Sequence, residues 1–243
     1  MDIQAVAMVR YVCIDVVDFS VNRTVEAQTE IVLALARIVR LAVSTAQVDP
    51  SKVLYLPSGD GVCICLIDLL DPFDLDMQIA ISVLEQVYVL GLSQADAEKK
   101  FAVRIGLSEN QDNIIEDIGG GRNVVGLGVN SAYRIMSLAG AFQLFLHASV
   151  HARLAQRRRY RHHLYPVHAI VKHGERVLCH AFHDSDLACF AAARPPGQGR
   201  RKSDGERLAA TLPLQLPVAQ GRLRSRRSVG PLRSAPSFRI DQA

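Results

Sequence analysis

The spacing of apolar residues divides the first half of the chain into alternating strand and helix patterns. Residues 5–16, AVAMVRYVCIDV, are apolar and β-branched almost throughout, which predicts a buried strand that delivers Asp15 at its carboxyl end. From Val21 to Val43 the apolar positions recur at helical spacing, and this pattern predicts an amphipathic helix. The chain therefore begins with a β-α unit.

Two short strand patterns follow, Lys52–Leu56 and Val62–Ile67, and the sequence PSGDG separates them. Turn residues between two strands predict a β-hairpin, which places Asp60 at its tip. Residues 74–92 return to helical spacing, and Phe101–Leu107 predicts a further strand.

A glycine-rich connection, IGGGRNVVGLG, leads into a helix predicted over 129–140, and short strand, helix and strand patterns continue to about residue 183. The order β-α-β-β-α-β predicts an α/β (α+β) sandwich of ferredoxin-like topology with a C-terminal α/β extension. We expect one mixed or antiparallel sheet with helices on one face. The predicted boundary separates a folded domain, 1–190, from a tail, 191–243.

Composition and charge distinguish the body from the tail. The 243 residues are 49% hydrophobic and 21% charged, which excludes a wholly disordered chain. Residues 194–243 hold 11 Lys/Arg and 3 Asp/Glu, a net charge of +8, whereas the first 193 residues carry −4. This Pro/Arg-rich tail is predicted to be solvated and disordered. A nucleic-acid or membrane-surface arm is the alternative, but Phe238 is its only aromatic residue, so we expect no stable nucleic-acid binding.

The chain lacks the sequence signals of a membrane or secreted protein. Charges such as Arg37, Asp68 and Glu85 interrupt the apolar stretches, so we expect no span of about 18–20 apolar residues and no membrane insertion. The N-terminus, MDIQAVAMVR, has an acid at its second position and resembles no signal peptide. The five cysteines have no framework spacing, which predicts reduced, buried thiols in a cytoplasmic protein.

Asp15 and Asp60 are candidates for chemistry because each stands where a predicted strand meets a loop. Two carboxylates brought side by side repel each other, and the pKa of one rises unless a cation lies between them. Carboxylate oxygens suit Mg²⁺ or Mn²⁺. The alternative is that each acid only supports its turn, which is common for Asp beside Gly.

Asn130 and Arg134 are four residues apart on the predicted 129–140 helix, so their side chains share one face. A neutral donor beside a planar cation suits a developing negative charge, while an exposed pair without function is the alternative. The glycines at 119–121 and at 126 and 128 offer backbone amides to a phosphate, with a flexible turn as the alternative. Their spacing fits neither a Rossmann nor a P-loop fingerprint.

Four motifs together carry a family resemblance: IDVVDFS at 14–20, PSGDG at 57–61, VRIGL at 103–107 and GLGVNSAYRIMSLA at 126–139. In this order and spacing they resemble the catalytic domains of class III nucleotide cyclases, over roughly residues 8–183. The resemblance implies an enzyme that cyclises a nucleoside triphosphate and releases pyrophosphate.

The resemblance implies a metal site and a phosphate site. Asp15 and Asp60, with the backbone carbonyl of Val16, would bind two divalent ions, Mn²⁺ or Mg²⁺. Phe19 and the neighbouring backbone amides, from Val17 to Ser20, would line the phosphate site.

The resemblance also implies a catalytic pair and an assembly. Asn130 would orient the ribose, and Arg134 would stabilise the charge that develops at the α-phosphate. In this family one catalytic domain supplies the metal aspartates and the other supplies the Asn/Arg pair. A head-to-tail homodimer with shared active sites is therefore expected.

The base-reading positions depart from the family's purine patterns. Members that use ATP place a lysine four residues before the second metal aspartate and usually an aspartate seven before the asparagine, and guanylate cyclases typically have glutamate and cysteine there. Here Leu56 and Asn123 occupy these positions. Leu56 cannot hydrogen-bond a base, whereas Asn123 offers both donors and an acceptor.

Leu56 followed by Pro-Ser-Gly-Asp-Gly resembles the pyrimidine cyclases of the Pycsar antiphage system. Those enzymes make cyclic UMP or cyclic CMP, which activates a separate effector. Tyr55 and Arg104 are candidates for reading the smaller base, with core packing and a structural hydrogen bond as the alternatives. An adenylate cyclase and a catalytically silent, cyclase-like dimerisation module are the competing functions.

Overall fold

An eight-stranded sheet forms the centre of the described residues, 3–170 and 176–191, of the computed structural model. Along the sheet the order is β2-β3-β1-β4-β6-β8-β7, and β5 pairs with β4 outside this path. Only the β4–β6 pair is parallel within this sheet. The strands are β1 (Ile3–Val16), β2 (Val53–Pro57), β3 (Val62–Ile67), β4 (Val103–Glu116), β5 (Arg122–Val125), β6 (Leu144–Leu146), β7 (Leu164–Ile170) and β8 (Arg176–Phe182).

The described part of the chain has five α-helices, of which α1 to α4 connect strands and α5 follows β8, and the predicted β-α-β-β-α-β order is confirmed over β1 to β4. The first begins after Thr24, whose hydroxyl accepts a hydrogen bond from the Ala27 amide and so caps the helix. The helices are α1 (Val25–Thr45), α2 (Leu75–Ser93), α3 (Leu127–Met136), α4 (Ala148–Leu154) and α5 (Ala188–Ala191).

Helices cover both faces of the sheet, so the expectation of helices on one face is wrong. Alternate residues of β1 point to opposite faces. Val12 and Ile14 belong to the core cluster under α1, α2 and α4, whereas Tyr11 and Cys13 pack in a second cluster with α3. A strand buried on both faces is largely apolar, as β1 is, and its sequence does not reveal how the helices are shared between the faces.

Helix α3 rests directly on the backbone of β4. A Cβ atom at Gly106 would lie only 2.5 Å from the Ala132 carbonyl oxygen and 2.6 Å from the Met136 nitrogen. At the start of α3, the buried Asp112 accepts hydrogen bonds from the Gly128 amide at 2.9 Å and the Tyr11 hydroxyl at 2.6 Å. These contacts fix the helix position relative to β1 and β4.

The glycine-rich connection contains a strand that the sequence pattern did not predict. β4 continues past the predicted end at Leu107 to Glu116, and it forms a hairpin with β5. The outer half of β4, SENQDNIIE, is mostly polar, and buried positions alternate with more exposed ones from Asp112 to Ile115, so an apolar pattern does not reveal this part of the strand. The glycines form the hairpin turn.

Cys13 and Cys63 form a disulfide, so the prediction of reduced thiols is wrong for this pair. The two residues are direct partners in the antiparallel β1–β3 pair, with their Cα atoms 4.0 Å apart. Cys65, Cys179 and Cys189 are free and buried.

Helix α2 is long and apolar enough to cross a membrane by length and composition, in contrast to the sequence-based expectation. Its residues Ile79, Val83 and Leu84 are fully buried in the core beside the sheet. The core helix of a soluble protein has the same composition, so the pattern is explained by packing.

Arg153 of α4 joins α2 and β4 through buried ion pairs. Its guanidinium donates to Asp76 at 2.6 Å and to Glu109 at 2.8 Å, and Asp76 is fully buried. Burial lowers the pKa of Arg153, but the two carboxylates raise it overall. Because an unpaired buried charge is costly, these pairs hold α2 and α4 in place.

The predicted folded domain, 1–190, ends close to α5. The predicted basic tail lies outside the described residues from residue 192 onwards.

Candidate active site

Asp15 lies near the carboxyl end of β1 and faces Arg104, its direct partner on β4. The Arg104 guanidinium donates to Asp15 Oδ2 through Nε at 2.8 Å and Nη2 at 2.5 Å. Both side chains are largely shielded, with 16% of the Asp15 side chain and 11% of the Arg104 side chain exposed. Arg104 therefore contacts the Asp15 carboxylate directly, and its role in reading a base stays a prediction.

Asp60 comes to the same site from the tip of the β2–β3 hairpin. Burial raises the pKa of Asp60, the negative charge of Asp15 raises it further, and Arg104 opposes this effect. The structure thus brings together two carboxylates that are separated by helix α1 and strand β2 in sequence.

Gly61 permits this approach. A Cβ atom there would clash with the Ile14 carbonyl oxygen and lie 3.2 Å from the Asp15 Cα atom. The absence of a side chain lets the hairpin tip lie directly against the end of β1.

Gly61→Ala is expected to reduce the free energy of unfolding by about 1–3 kcal/mol, because the added methyl group has to displace backbone. Urea denaturation measures the change. Gly91→Ala is the matched control, because Gly91 lies in α2 with nothing within 4 Å of the added Cβ. It should stabilise the protein by about 0.5–1 kcal/mol, and equal effects of the two substitutions would contradict the close-approach argument.

The donor set of this site fits a hard divalent cation. Asp15 and Asp60 offer carboxylate oxygens, and Val16 ends β1 beside them and carries a backbone carbonyl. Mg²⁺ and Mn²⁺ bind through few carboxylates and complete their shells with water and phosphate oxygens. No group of three or more His, Cys, Asp or Glu residues suited to a metal occurs among the described residues, so a resident all-protein metal cage is not found there.

Asn130 and Arg134 lie together on the exposed face of α3. The Asn130 amide donates to the Gly126 carbonyl oxygen at 3.0 Å, within the same helix. The opposite face of α3, with Ala132 and Met136, packs on the sheet. The structure therefore groups Asn130 with Arg134 and turns both outward.

Tyr133, between these two residues, is a site residue that sequence analysis missed. It is half-buried; burial raises its pKa, the Ser58 side chain opposes this, and the charge of Asp15 raises it further. Tyr133 packs partly buried against the core cluster on the α3 side of the sheet, the side on which Asp15 also lies. Its position beside Arg134 in sequence gives no signal of this contact, because the two side chains point to different sides of the helix.

The predicted base-reading residues do not form one group. Leu56 on β2 packs against the α3-side cluster, but Tyr55 points to the opposite face, where it lies near Arg40 of α1. Asn123 is half-buried on β5, and its side-chain oxygen accepts a hydrogen bond from the Val124 amide at 2.7 Å. Tyr55 therefore lies on the face opposite Leu56, whereas Arg104, the cross-strand partner of Asp15, shares the face of Leu56 and α3.

Phe19 belongs to the loop between β1 and α1 and packs partly buried against the main core. The Val17 amide donates to the Ala102 carbonyl oxygen at 2.9 Å. Within residues 3–170 and 176–191, no hydrogen bond reaches the amides of Phe19 and Ser20. These two donors are open to a ligand beside the aspartate site.

The glycine-rich amides have protein partners, which favours the turn interpretation over a phosphate cradle. Asp117 accepts hydrogen bonds from the Gly119 and Gly121 amides at 2.8 and 2.9 Å. The Gly128 amide is bound by Asp112. Side-chain carboxylates thus occupy the places where a phosphate would bind.

No protein-family model matches the chain, and no curated protein matches it in sequence. Solved structures do match the fold. The guanylyl cyclase Cya2 has a TM-score of 0.59 at 14% identity, covering 80% of this chain and 96% of its own. The adenylyl cyclase CyaB from P. aeruginosa has a TM-score of 0.58 at 14% identity, with 74% and 96% covered.

A third match is the catalytic core of a rhodopsin-guanylyl cyclase with converted specificity, in complex with ATPαS. Its TM-score is 0.58 at 15% identity, and the alignment covers 73% of this chain and 95% of that one. The matches span nearly the whole of each cyclase domain. This chain therefore has the fold of the catalytic domains of adenylyl and guanylyl cyclases.

Proposed function

We propose that this protein is a nucleotide cyclase that converts a pyrimidine nucleoside triphosphate, UTP or CTP, into its 3′,5′-cyclic monophosphate and pyrophosphate. The observation that carries the proposal is the approach of the Asp60 hairpin tip to Asp15 at one end of a cyclase-like sheet, where a Cβ atom on Gly61 would lie 3.2 Å from the Asp15 Cα atom. A fold that needed these acids only for turns would have no reason to bring two carboxylates together.

Asp15, Asp60 and the Val16 carbonyl would hold two divalent ions. When bound, these ions would supply positive charge that favours ionisation of the ribose 3′-hydroxyl and neutralises the triphosphate. Arg104 donates to Asp15 and would add a further positive charge beside the triphosphate. The amides of Phe19 and Ser20 would donate to phosphate oxygens.

Asn130 and Arg134 would act on the reacting part of the nucleotide. The Arg134 guanidinium would stabilise negative charge on the α-phosphoryl group during in-line attack, as pyrophosphate leaves. Asn130 would hold the ribose so that its 3′-oxygen faces that phosphorus atom.

A shared active site accounts for the outward direction of this pair. Tyr133 packs toward the sheet on the inner side of α3, whereas Asn130 and Arg134 are exposed on the outer face. In a head-to-tail homodimer, the outer face of one α3 would complete the aspartate site of the partner. Two equivalent sites would result.

The chemistry of Leu56 and Asn123 supports a pyrimidine substrate. Leu56 offers no hydrogen bond, so the charged residue that recognises adenine in ATP-using enzymes is missing at this position. The bulk of its side chain would narrow the base pocket, which favours a single-ring base over a purine. The Asn123 oxygen already accepts from Val124, which directs its NH₂ group to act as the donor. Uracil presents a carbonyl acceptor where cytosine presents an amino donor, and this favours UTP.

UTP is expected to be turned over at least about tenfold faster than ATP or GTP, a difference of about 1.4 kcal/mol. The measurement incubates equimolar UTP, CTP, ATP and GTP with the protein and Mn²⁺ and identifies the cyclic products. The double substitution Leu56→Lys with Asn123→Asp restores the residues of ATP-using enzymes and should shift the products towards cyclic AMP.

Cyclic AMP as the main product of the unmodified protein would contradict the pyrimidine proposal and favour an adenylate cyclase, since one similar structure holds ATPαS. No product from any of the four nucleotides would favour a silent, cyclase-like dimerisation module. If a cyclic pyrimidine nucleotide forms, we propose that it acts in the cytoplasm as an antiphage messenger for a separate effector.

A further inference from the structure

Arg23 ties together the two loops that flank the candidate phosphate site. Its guanidinium donates to the carbonyl oxygens of Asp18 at 2.5 Å and Phe19 at 2.9 Å, both in the loop after β1. It also donates to the carbonyl oxygens of Glu98 at 3.0 Å and Lys100 at 2.9 Å, in the segment before β4. Four backbone carbonyls thus converge on one half-buried side chain.

This contact determines which way the loop amides point. In a trans peptide, the carbonyl and the next residue's N–H point in opposite directions. When Arg23 holds the carbonyls of Asp18 and Phe19, the amides of Phe19 and Ser20 are turned away from the guanidinium. These are the amides that no hydrogen bond reaches within the described ranges.

The loop needs such support because its backbone is strained. Asp18 has φ of 53° and Asn22 has φ of 52°, in the left-handed region that residues other than glycine rarely adopt. Conformations of this kind persist where surrounding contacts impose them. The Asp18 carbonyl accepts both from Arg23 and, at 3.2 Å, from the Val21 amide.

We infer that Arg23 is a positioning residue that orients the Phe19 and Ser20 amides for the triphosphate of the substrate. The inference rests on the proposed function for the identity of the ligand. The planar guanidinium of Arg23 has enough donors, in the right directions, to reach four carbonyl oxygens on two loops. A lysine at this position would keep the positive charge but lose most of these hydrogen bonds.

Arg23→Lys is expected to weaken binding of inorganic tripolyphosphate, in the presence of Mn²⁺, by about tenfold. Isothermal titration calorimetry on the full chain measures this without any turnover. With UTP as substrate, the KM should rise by a similar factor while kcat changes less, because Arg134 and the reacting atoms are not altered. Circular dichroism and the Tm verify that the variant is folded, and Arg23→Gln provides a second variant.

Arg153→Lys is the matched control, because Arg153 also binds several groups but holds α4 to α2 and β4. It should lower the Tm and leave tripolyphosphate affinity unchanged. Unchanged affinity in the Arg23 variants, or an equal loss in the Arg153 variant, would overturn the inference. If the wild-type protein binds tripolyphosphate in an Arg23-dependent way but cyclises no nucleotide, the proposed function is refuted and the positioning role of Arg23 is not.

Discussion

Asp15→Asn and Asp60→Asn are each expected to reduce nucleotide cyclisation by about a thousandfold or more, because each removes a metal-binding charge worth several kcal/mol in the transition state. Asparagine keeps the shape of aspartate and an oxygen that can accept from Arg104, so the fold should remain. Initial rates of cyclic nucleotide formation, with Mn²⁺ varied, measure the effect.

Asp49→Asn is the control for these substitutions. Asp49 caps a short turn before β2 by accepting from the Ser51 amide, and asparagine caps as well. This variant should keep wild-type activity and nearly wild-type stability. Near-normal turnover in either the Asp15 or the Asp60 variant would refute the assignment of these acids as the metal ligands.

An equimolar mixture of the inactive Asp60→Ala and Arg134→Ala proteins is expected to recover about a quarter of wild-type activity. Random exchange makes half of the dimers heterodimers, and each has one site with both defects and one with neither. The physical reason is that Asp60 lies at the hairpin tip against the end of β1, whereas Arg134 is exposed on the outer face of α3.

Subunit exchange has to be demonstrated alongside, by mass spectrometry of differently labelled chains. Exchange without recovery would place both residues in one protomer's site and refute the shared-site proposal. As a control, a mixture of Asp15→Ala with Asp60→Ala should stay inactive, because both acids belong to the same half of each site.

The order of elements could be predicted because their residues are periodic or continuous in hydrophobicity. The strand over 5–16, the hairpin around Asp60 and the helix through Arg134 all carry local signals, and the structure contains each of them. The side of the sheet on which α3 packs could not be predicted, because β1 is apolar on both faces.

Only part of the candidate active site could be predicted from the sequence. The order of the motifs predicted that Asp15 and Asp60 belong to one site. The face of the sheet to which Tyr55 points depends on the register of β2, and a shift of one residue would turn its side chain to the other face. Arg104 is a cross-strand neighbour of Asp15 only because β1 and β4 are adjacent and antiparallel. Such pairings between distant segments have no local signature in the chain.

The direct contact between α3 and β4 at Gly106 bears on how substrate preference can evolve. Because no space remains between α3 and β4, the helix cannot shift its position on the sheet to accommodate another base. On the proposed function, new preferences then have to arise from side chains at Leu56 and Asn123, which lie on different elements from Asn130 and Arg134. Related enzymes could exchange one signalling molecule for another in a few mutational steps while their bond-forming chemistry is inherited unchanged.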